Sequence, residues 1–385
     1  MPQFCQNLVS FVRDYYQTNE FIPLHAPQFN GKEKQYVLET IESTFVSSVG
    51  EYVNQFEKQL GEIVKASAVT ATVNGTSALF MALYVLGIKA NDLVITQPLT
   101  FVATCNTINQ LGAEPIFVDV ERQSLGLCPV ALEAYLTEHA QVDNEGLCRE
   151  KRSGRIIRAV LPMHTFGHPV QLDEIVNVCK TWRIALVEDA AESLGSYYKG
   201  KHTGNFGLFA AFSFNGNKTI TTGGGGAVIS STDILGRRVK HLTTTAKVAH
   251  PYEYYHDELG FNYRMPNLNA ALGCAQLEQL EKYLIAKRKL AEQYEEALKS
   301  SELTFCKEPS YASSNYWLNA VLAPDLESRN AYLTSLNEQG VMTRAAWQLM
   351  HSLPMFSNAL RGDLSNSEWL QKRLINLPSS PNFQA

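Results

Sequence analysis

Residues 185–193 read Ala185-Leu186-Val187-Glu188-Asp189-Ala190-Ala191-Glu192-Ser193, an apolar run without alternation that stops abruptly at carboxylates. Such a run reads as a strand buried on both faces, the pattern of a parallel sheet covered by helices on each side. An acidic residue at its carboxyl end stands on the edge where such sheets bind ligands. From this segment alone, Asp189 could equally cap the following helix.

The pattern repeats outward from this strand. Between residue 31 and about 245, helical periodicity alternates with short apolar runs bounded by turn residues, the signature of βα units. Strands are expected at 93–96, 115–120, 156–161, 184–188, 208–214 and 226–230, and helices at 53–64 and 77–86. Past 245 the texture changes: 267–298 is Ala-, Leu-, Glu- and Lys-rich at helical spacing, one long helix or two successive ones. A strand at 317–322, a helix at 327–339 and a Pro-rich end follow. The expected organisation is an α/β fold with a mostly parallel central sheet in a large domain, 31–245. A smaller α+β C-terminal domain, 246–385, follows it, and an N-terminal segment, 1–30, packs with the small domain.

Composition is that of an ordinary globular enzyme. The 33 Lys and Arg stand against 38 Asp and Glu, a net charge of -5. With no long single-sign block, no nucleic-acid partner is indicated. The seven cysteines form no C-x-x-C pair or metal-ligand spacing, so they read as free thiols in a reducing cytoplasm and no metal is expected. Cys105 lies beside an active-site segment but reads as a space-filling thiol. The first residues lack the unbroken apolar region of a signal peptide, and no run reaches membrane-spanning length. A soluble, unprocessed cytoplasmic protein is expected.

Three segments carry chemistry. Asn74-Gly75-Thr76-Ser77-Ala78 precedes an apolar helix, and a helix start with a close-approaching glycine and two hydroxyls can bind a phosphate. Simple capping by Thr76 or Ser77 is the competing reading. In the 185–193 strand, Asp189 could pair with a protonated pyridine nitrogen. Phe212-Ser213-Phe214-Asn215-Gly216-Asn217-Lys218-Thr219 ends an apolar strand in polar turn residues around one lysine, with four glycines after it. A lone loop lysine is usually a surface residue. It is not a P-loop, since Gly and Lys are not adjacent. Taken in order on one domain, however, the three segments supply a phosphate anchor, a pyridine partner and an imine-forming amine, the set that pyridoxal phosphate (PLP) needs.

These segments resemble the DegT/DnrJ/StrS family of sugar aminotransferases, PLP-dependent transferases of fold type I, like aspartate aminotransferase. The resemblance spans nearly the whole chain: NGTSAL at 74–79, PLTFVATCN at 98–106, HTFGHP at 164–169, VEDAAES at 187–193, the 212–226 stretch around Lys218, and GFNYRMPNLNAALG at 260–273. It implies that Lys218 forms the Schiff base and shuttles the proton, and that Asp189 meets the pyridine nitrogen. Glu192 would stand near the ring hydroxyl, Phe101 would stack on the ring, and Gly75, Thr76, Ser77 and Ser213 would hold the phosphate. It also implies a homodimer with shared active sites, in which Asn262 reaches the neighbouring subunit's phosphate. By the same resemblance L-glutamate is the amino donor and 2-oxoglutarate leaves.

A narrower resemblance, carried by FIPLHAPQFN at 21–30, TFVSSVG at 44–50 and TRAAWQLMHSLPMF at 343–356, is to the LegC-type branch. It implies C4 amination of a UDP-linked 2-acetamido-4-keto-2,6-dideoxy sugar, on a route to nonulosonic acids such as legionaminic acid, or to related surface glycans such as O-antigen. His25, His164, Arg344, Trp347 and His351 are the candidates for substrate contact, with structural roles as the competing reading for each. A C3 aminotransferase shares the same cofactor motifs and stays open. A dehydratase of the family carries histidine in place of Lys218, and a non-catalytic sugar-binding relative has no need of Lys218, Asp189 and Ser213.

Overall fold

The computed structural model describes residues 3–383, with side chains from residue 6 onward. Eight strands form the main sheet: β1 (Ala68–Thr72), β2 (Leu93–Thr96), β3 (Glu114–Phe117), β4 (Ile157–Leu161), β5 (Ala185–Asp189), β6 (Phe209–Ser213), β7 (Gly226–Ser230) and β8 (Leu360–Arg361). Their spatial order is β1-β7-β6-β5-β4-β2-β3-β8. Only β7 runs against its neighbours, pairing antiparallel with β1 and β6; the other pairings are parallel. The continuous apolar strands are buried as their pattern requires, with Val94, Ala159, Val187, Ala211 and Val228 packed in one cluster and Leu93, Ile95, Ile116 and Leu186 in another.

The sequence reading contained neither β1 nor β8. β1 is Ala-Val-Thr-Ala-Thr, half-buried at its start, and so lacks the apolar run by which its neighbours are recognised. β8 is two residues long and pairs with β3 only because the distant C-terminal chain returns to the sheet edge.

Parallel strands deliver their carboxyl ends to one edge. β1 runs into helix α1 (Gly75–Leu86), and β2 reaches helix α2 (Val102–Gln110) through a short turn. Asn74 caps α1, its Oδ1 accepting the Ser77 N–H at 2.7 Å, so the cap is neither Thr76 nor Ser77. The helix closes at Gly87, whose φ of 90° favours glycine.

The segment 267–298 is two helices, α3 (Asn267–Leu277) and α4 (Leu280–Leu298), broken at Glu278 and Gln279. α3 packs on the helices Glu33–Glu42 and Glu51–Val64 of the large body, so residue 245 is not where the packing divides. α4 joins a second body with a four-stranded antiparallel sheet ordered Thr304–Phe305, Asn319–Leu322, Leu374–Leu377, Arg344–Ala345. Helix Gln3–Tyr16 buries Leu8, Val9 and Val12 against Leu290, Tyr294, Leu336 and Ile375 of that body. No disulfide joins the six described cysteines. Among the described residues no helix is long and apolar enough to cross a membrane.

Candidate active site

A cavity of about 370 Å³ opens at the carboxyl edge of the sheet and gathers residues from five strand ends, Met163 coming from the β4 end. Gly75 and Thr76 come from the β1 end, Phe101 from β2, Asp189 and Glu192 from β5, and Ser213 and Lys218 from β6. This is the edge at which open α/β sheets hold ligands, because loops there can converge without interrupting the ladder.

Lys218 sits on a turn closed by its own N–H, which donates to the Asn215 carbonyl at 3.0 Å. Its side chain is only 14% exposed, and Nζ lies 3.3 Å from Glu192 Oε1. Nζ also stands 3.8 Å from the centre of the Trp317 ring. The lysine that reads as a surface residue in isolation is therefore largely enclosed.

Asp189 is buried, which pushes its carboxyl up; hydrogen bonds from Thr104 and the Ala191 N–H and the charge of Lys218 oppose that rise. Thr104 Oγ1 donates to Oδ2 at 2.7 Å, and the Ala191 N–H to Oδ1 at 3.2 Å. Each carboxylate oxygen keeps acceptor capacity for a cation in the cavity. Glu192 is pushed up to about 7 by burial, against the pull of Lys218 and of the Phe166 N–H, which donates to Oε2 at 2.9 Å. A carboxyl near neutrality beside an amine can exchange a proton with it at working pH.

The cradle is built by close backbone approach. A Cβ on Gly75 would meet Ser213 Cβ at 2.7 Å and Oγ at 2.9 Å, and one on Gly226 would meet the Asn74 carbonyl at 2.5 Å. Glycine at both positions lets the start of α1, the end of β6 and the start of β7 meet around one small space. Helix N–H groups with the Thr76 and Ser213 hydroxyls fit a phosphate there, Asp189 fits a protonated pyridine nitrogen, and Phe101, half exposed on the cavity wall, fits a ring face. This donor set suits PLP, with Lys218 as its amine.

The other candidates fall elsewhere. Ser77 is buried and serves α1 through its N–H, off the cavity. Asn262 is exposed, bridges to Thr244 and does not line this chain's cavity. Of the five substrate candidates only Trp347 lines the cavity, its ring against Phe101 and Phe166. His164 is fully buried, its Nδ1 accepting the Val170 N–H at 3.3 Å while Nε2 donates to Glu188 at 3.1 Å. With both nitrogens engaged in the core, His164 is a structural residue and not the substrate contact that the resemblance implies. Glu188 also accepts the N–H groups of Gly204, Phe206 and Gly207, so this pair anchors the loop before β6. Arg344 is exposed on the small sheet. His351 packs against Phe117. His25 accepts a hydrogen bond from buried Lys287 through Nε2. Cys105 is buried, and burial pushes its thiol up.

The residues 27–385 match the DegT/DnrJ/EryC1/StrS aminotransferase family. The chain belongs to that family. It is 36% identical over 94% of both chains to a GDP-perosamine synthase of Escherichia coli O157:H7. It is 37% identical, over 94% of this chain and 92% of the relative, to EpsN of Bacillus subtilis (strain 168), whose name describes an aminotransferase dependent on pyridoxal phosphate. A DegT DnrJ EryC1 StrS aminotransferase from Brucella abortus has a similar solved structure, with a TM-score of 0.81, 26% identity and 90% of each chain covered. As a member of the family this protein is a PLP-dependent sugar aminotransferase of fold type I. Within that fold Thr104, Trp317 and Lys287 are site-supporting residues absent from the sequence reading. Thr104 alone had a signal, three residues after Phe101 in the PLTFVATCN stretch.

Proposed function

We propose that this protein transfers the amino group of L-glutamate to C4 of a nucleotide-linked 4-keto-6-deoxy hexose. The observation that carries this is the convergence of Lys218, Asp189, Glu192 and the Gly75–Ser213 cradle on one cavity. GDP-perosamine synthases at 36% identity support a GDP-linked substrate and C4 over C3. The UDP-linked 2-acetamido sugar is the second reading, favoured by the stretches 21–30, 44–50 and 343–356; legionaminic acid routes and surface glycans are its setting. A cytoplasmic location suits either substrate.

When bound, PLP supplies an electron sink that lets a proton leave the carbon bearing the amine. The residues then divide the work. Lys218 Nζ would hold the cofactor between turnovers and, when free, would accept and return a proton at Nζ. Asp189 would face the pyridine nitrogen and favour its protonated form by counter-charge. Glu192, near neutrality, can hold or pass a proton within 3.3 Å of Lys218 Nζ. Trp347, Phe101 and Trp317 wall the cavity and exclude water.

A homodimer completes this reading. Phe45 and Val49 are 60% and 67% exposed and line a groove of about 750 Å³ with Tyr52 and Asn267. A second copy covering them suits the shared-site homodimer that the resemblance implies, in which exposed Asn262 would reach the partner's cradle.

Purified protein is incubated with glutamate and a panel of GDP- and UDP-linked 3- and 4-keto sugars, and the product's mass and amine position are determined. An amine at C4 of the GDP-linked sugar is expected. Amination at C3, or none with any sugar, would sink the proposal. Borohydride should fix the cofactor to the peptide containing Lys218.

A further inference from the structure

Lys287 is an anomaly of the second body. It projects from α4, is fully buried and forms no ion pair with any described carboxylate, although lysine is almost never buried without one. Its Nζ has three donors and three acceptors: the Ser379 carbonyl at 2.6 Å, the Trp317 carbonyl at 3.1 Å and His25 Nε2 at 3.1 Å. Burial lowers its pKa to about 7. Such burial is costly, and the contacts it makes join three distant chain segments beside the cavity.

The same junction fixes Trp317. Its backbone N–H donates to Asn315 Oδ1 at 2.8 Å, and its carbonyl accepts from Lys287. Its indole Nε1–H donates to the carbonyl of Asn217, the residue before Lys218, at 2.6 Å. Asn315 in turn donates to the Glu192 and Leu194 carbonyls, so the indole is tied to both chain segments that carry the active groups. The ring is 4% exposed, and its centre lies 3.8 Å from Lys218 Nζ.

We propose that Trp317 is a positioning residue for Lys218: its indole face receives the lysine's ammonium whenever that nitrogen is not bonded to the cofactor, with buried Lys287 holding the indole there. An indole is the strongest of the aromatic receivers for a cation, and the attraction grows when the site is shielded from water. Glu192 Oε1, 3.3 Å away, and the buried Asp189 carboxylate also attract this ammonium, but both are titratable, whereas the ring is not. The ring thus keeps the released ammonium within reach of the cavity and shields it from bulk water. The inference rests on Lys218 being the amine that holds the cofactor.

The test uses cofactor-free protein. A pulse of acetic anhydride acylates accessible amines, and mass spectrometry reads the rate at Lys218 relative to surface lysines. Trp317→Leu should accelerate Lys218 acylation roughly tenfold, equivalent to about 1.4 kcal/mol, while Trp317→Phe, which keeps an aromatic face, stays within about threefold of wild type. Lys287→Met, which leaves the indole but loosens it, should accelerate acylation about threefold. Wild-type acylation in a folded Trp317→Leu protein would overturn the proposal; if that variant does not fold, Trp317→Met is read the same way. Failure of borohydride to attach the cofactor at Lys218 would instead overturn the reading of Lys218 itself, whatever the acylation rates.

Discussion

The cofactor side of the cavity and the outer segment 343–356 both match the family resemblance, yet the structure treats them differently. On the cofactor side Gly75, Thr76, Phe101, Asp189, Glu192, Ser213 and Lys218 all meet on one cavity. In the outer segment, Trp347 reaches that cavity, Arg344 faces solvent and His351 lies against Phe117. Parallel strands bring their ends together by construction, so a residue placed at a strand end is already placed in the site. A residue placed in a loop of short helices and a two-residue strand is not.

Mutations can break this contrast or sharpen it. The largest effect belongs to Lys218→Ala, which should cost at least about a thousandfold in kcat while the melting temperature is retained, because anchor and proton carrier vanish together. Asp189→Asn should lower kcat by roughly a hundredfold through loss of the counter-charge. Thr104→Val, which removes one hydrogen bond to that carboxylate, should cost about tenfold. If Thr104→Val matched Asp189→Asn, the hydroxyl would be more than a support. In the outer segment, Trp347→Ala should raise KM for the nucleotide sugar about fivefold, and Arg344→Ala should leave it within about twofold. A large effect at Arg344 would erase the contrast and point to a contact made across the dimer.

The smallest effect concerns pH. Glu192 has a folded value of about 7, above the ordinary 4.5. The stability tied to its neutral form is complete below 4.5 and is lost as pH rises through about 7. Thermal melts of the cofactor-free protein should show this fall between those limits, and Glu192→Gln should flatten it.

The same contrast explains what could be read in advance. The strands β2, β5, β6 and β7 are legible because two-sided burial demands runs of apolar residues, and β4 because Arg158 alone interrupts its run. β1 is not, because Thr70 and Thr72 break the run while still being buried. Asn74 to Ser77 reads correctly as a helix start, although which side chain caps it depends on backbone angles. His164 lies in a motif yet serves the core, since its two nitrogens find Glu188 and Val170. Trp317 reads as the opening of a strand that in fact begins at Asn319, and its closeness to Lys218 arises from contacts between chain segments far apart in sequence. Lys287 shows the same limit: on a helix rich in lysine, no local pattern marks the one that is buried.

The close approach of Gly226 to the carbonyl of Asn74 carries a consequence for how the protein is made. β1 is the first strand of the sheet to leave the ribosome, but its neighbour in space is β7, the seventh. The helix start that would receive a phosphate is synthesised early and acquires its facing wall only after more than half the chain exists. Such distant pairings form slowly. A nascent chain therefore has no cradle to offer until β7 has been made and has paired with β1.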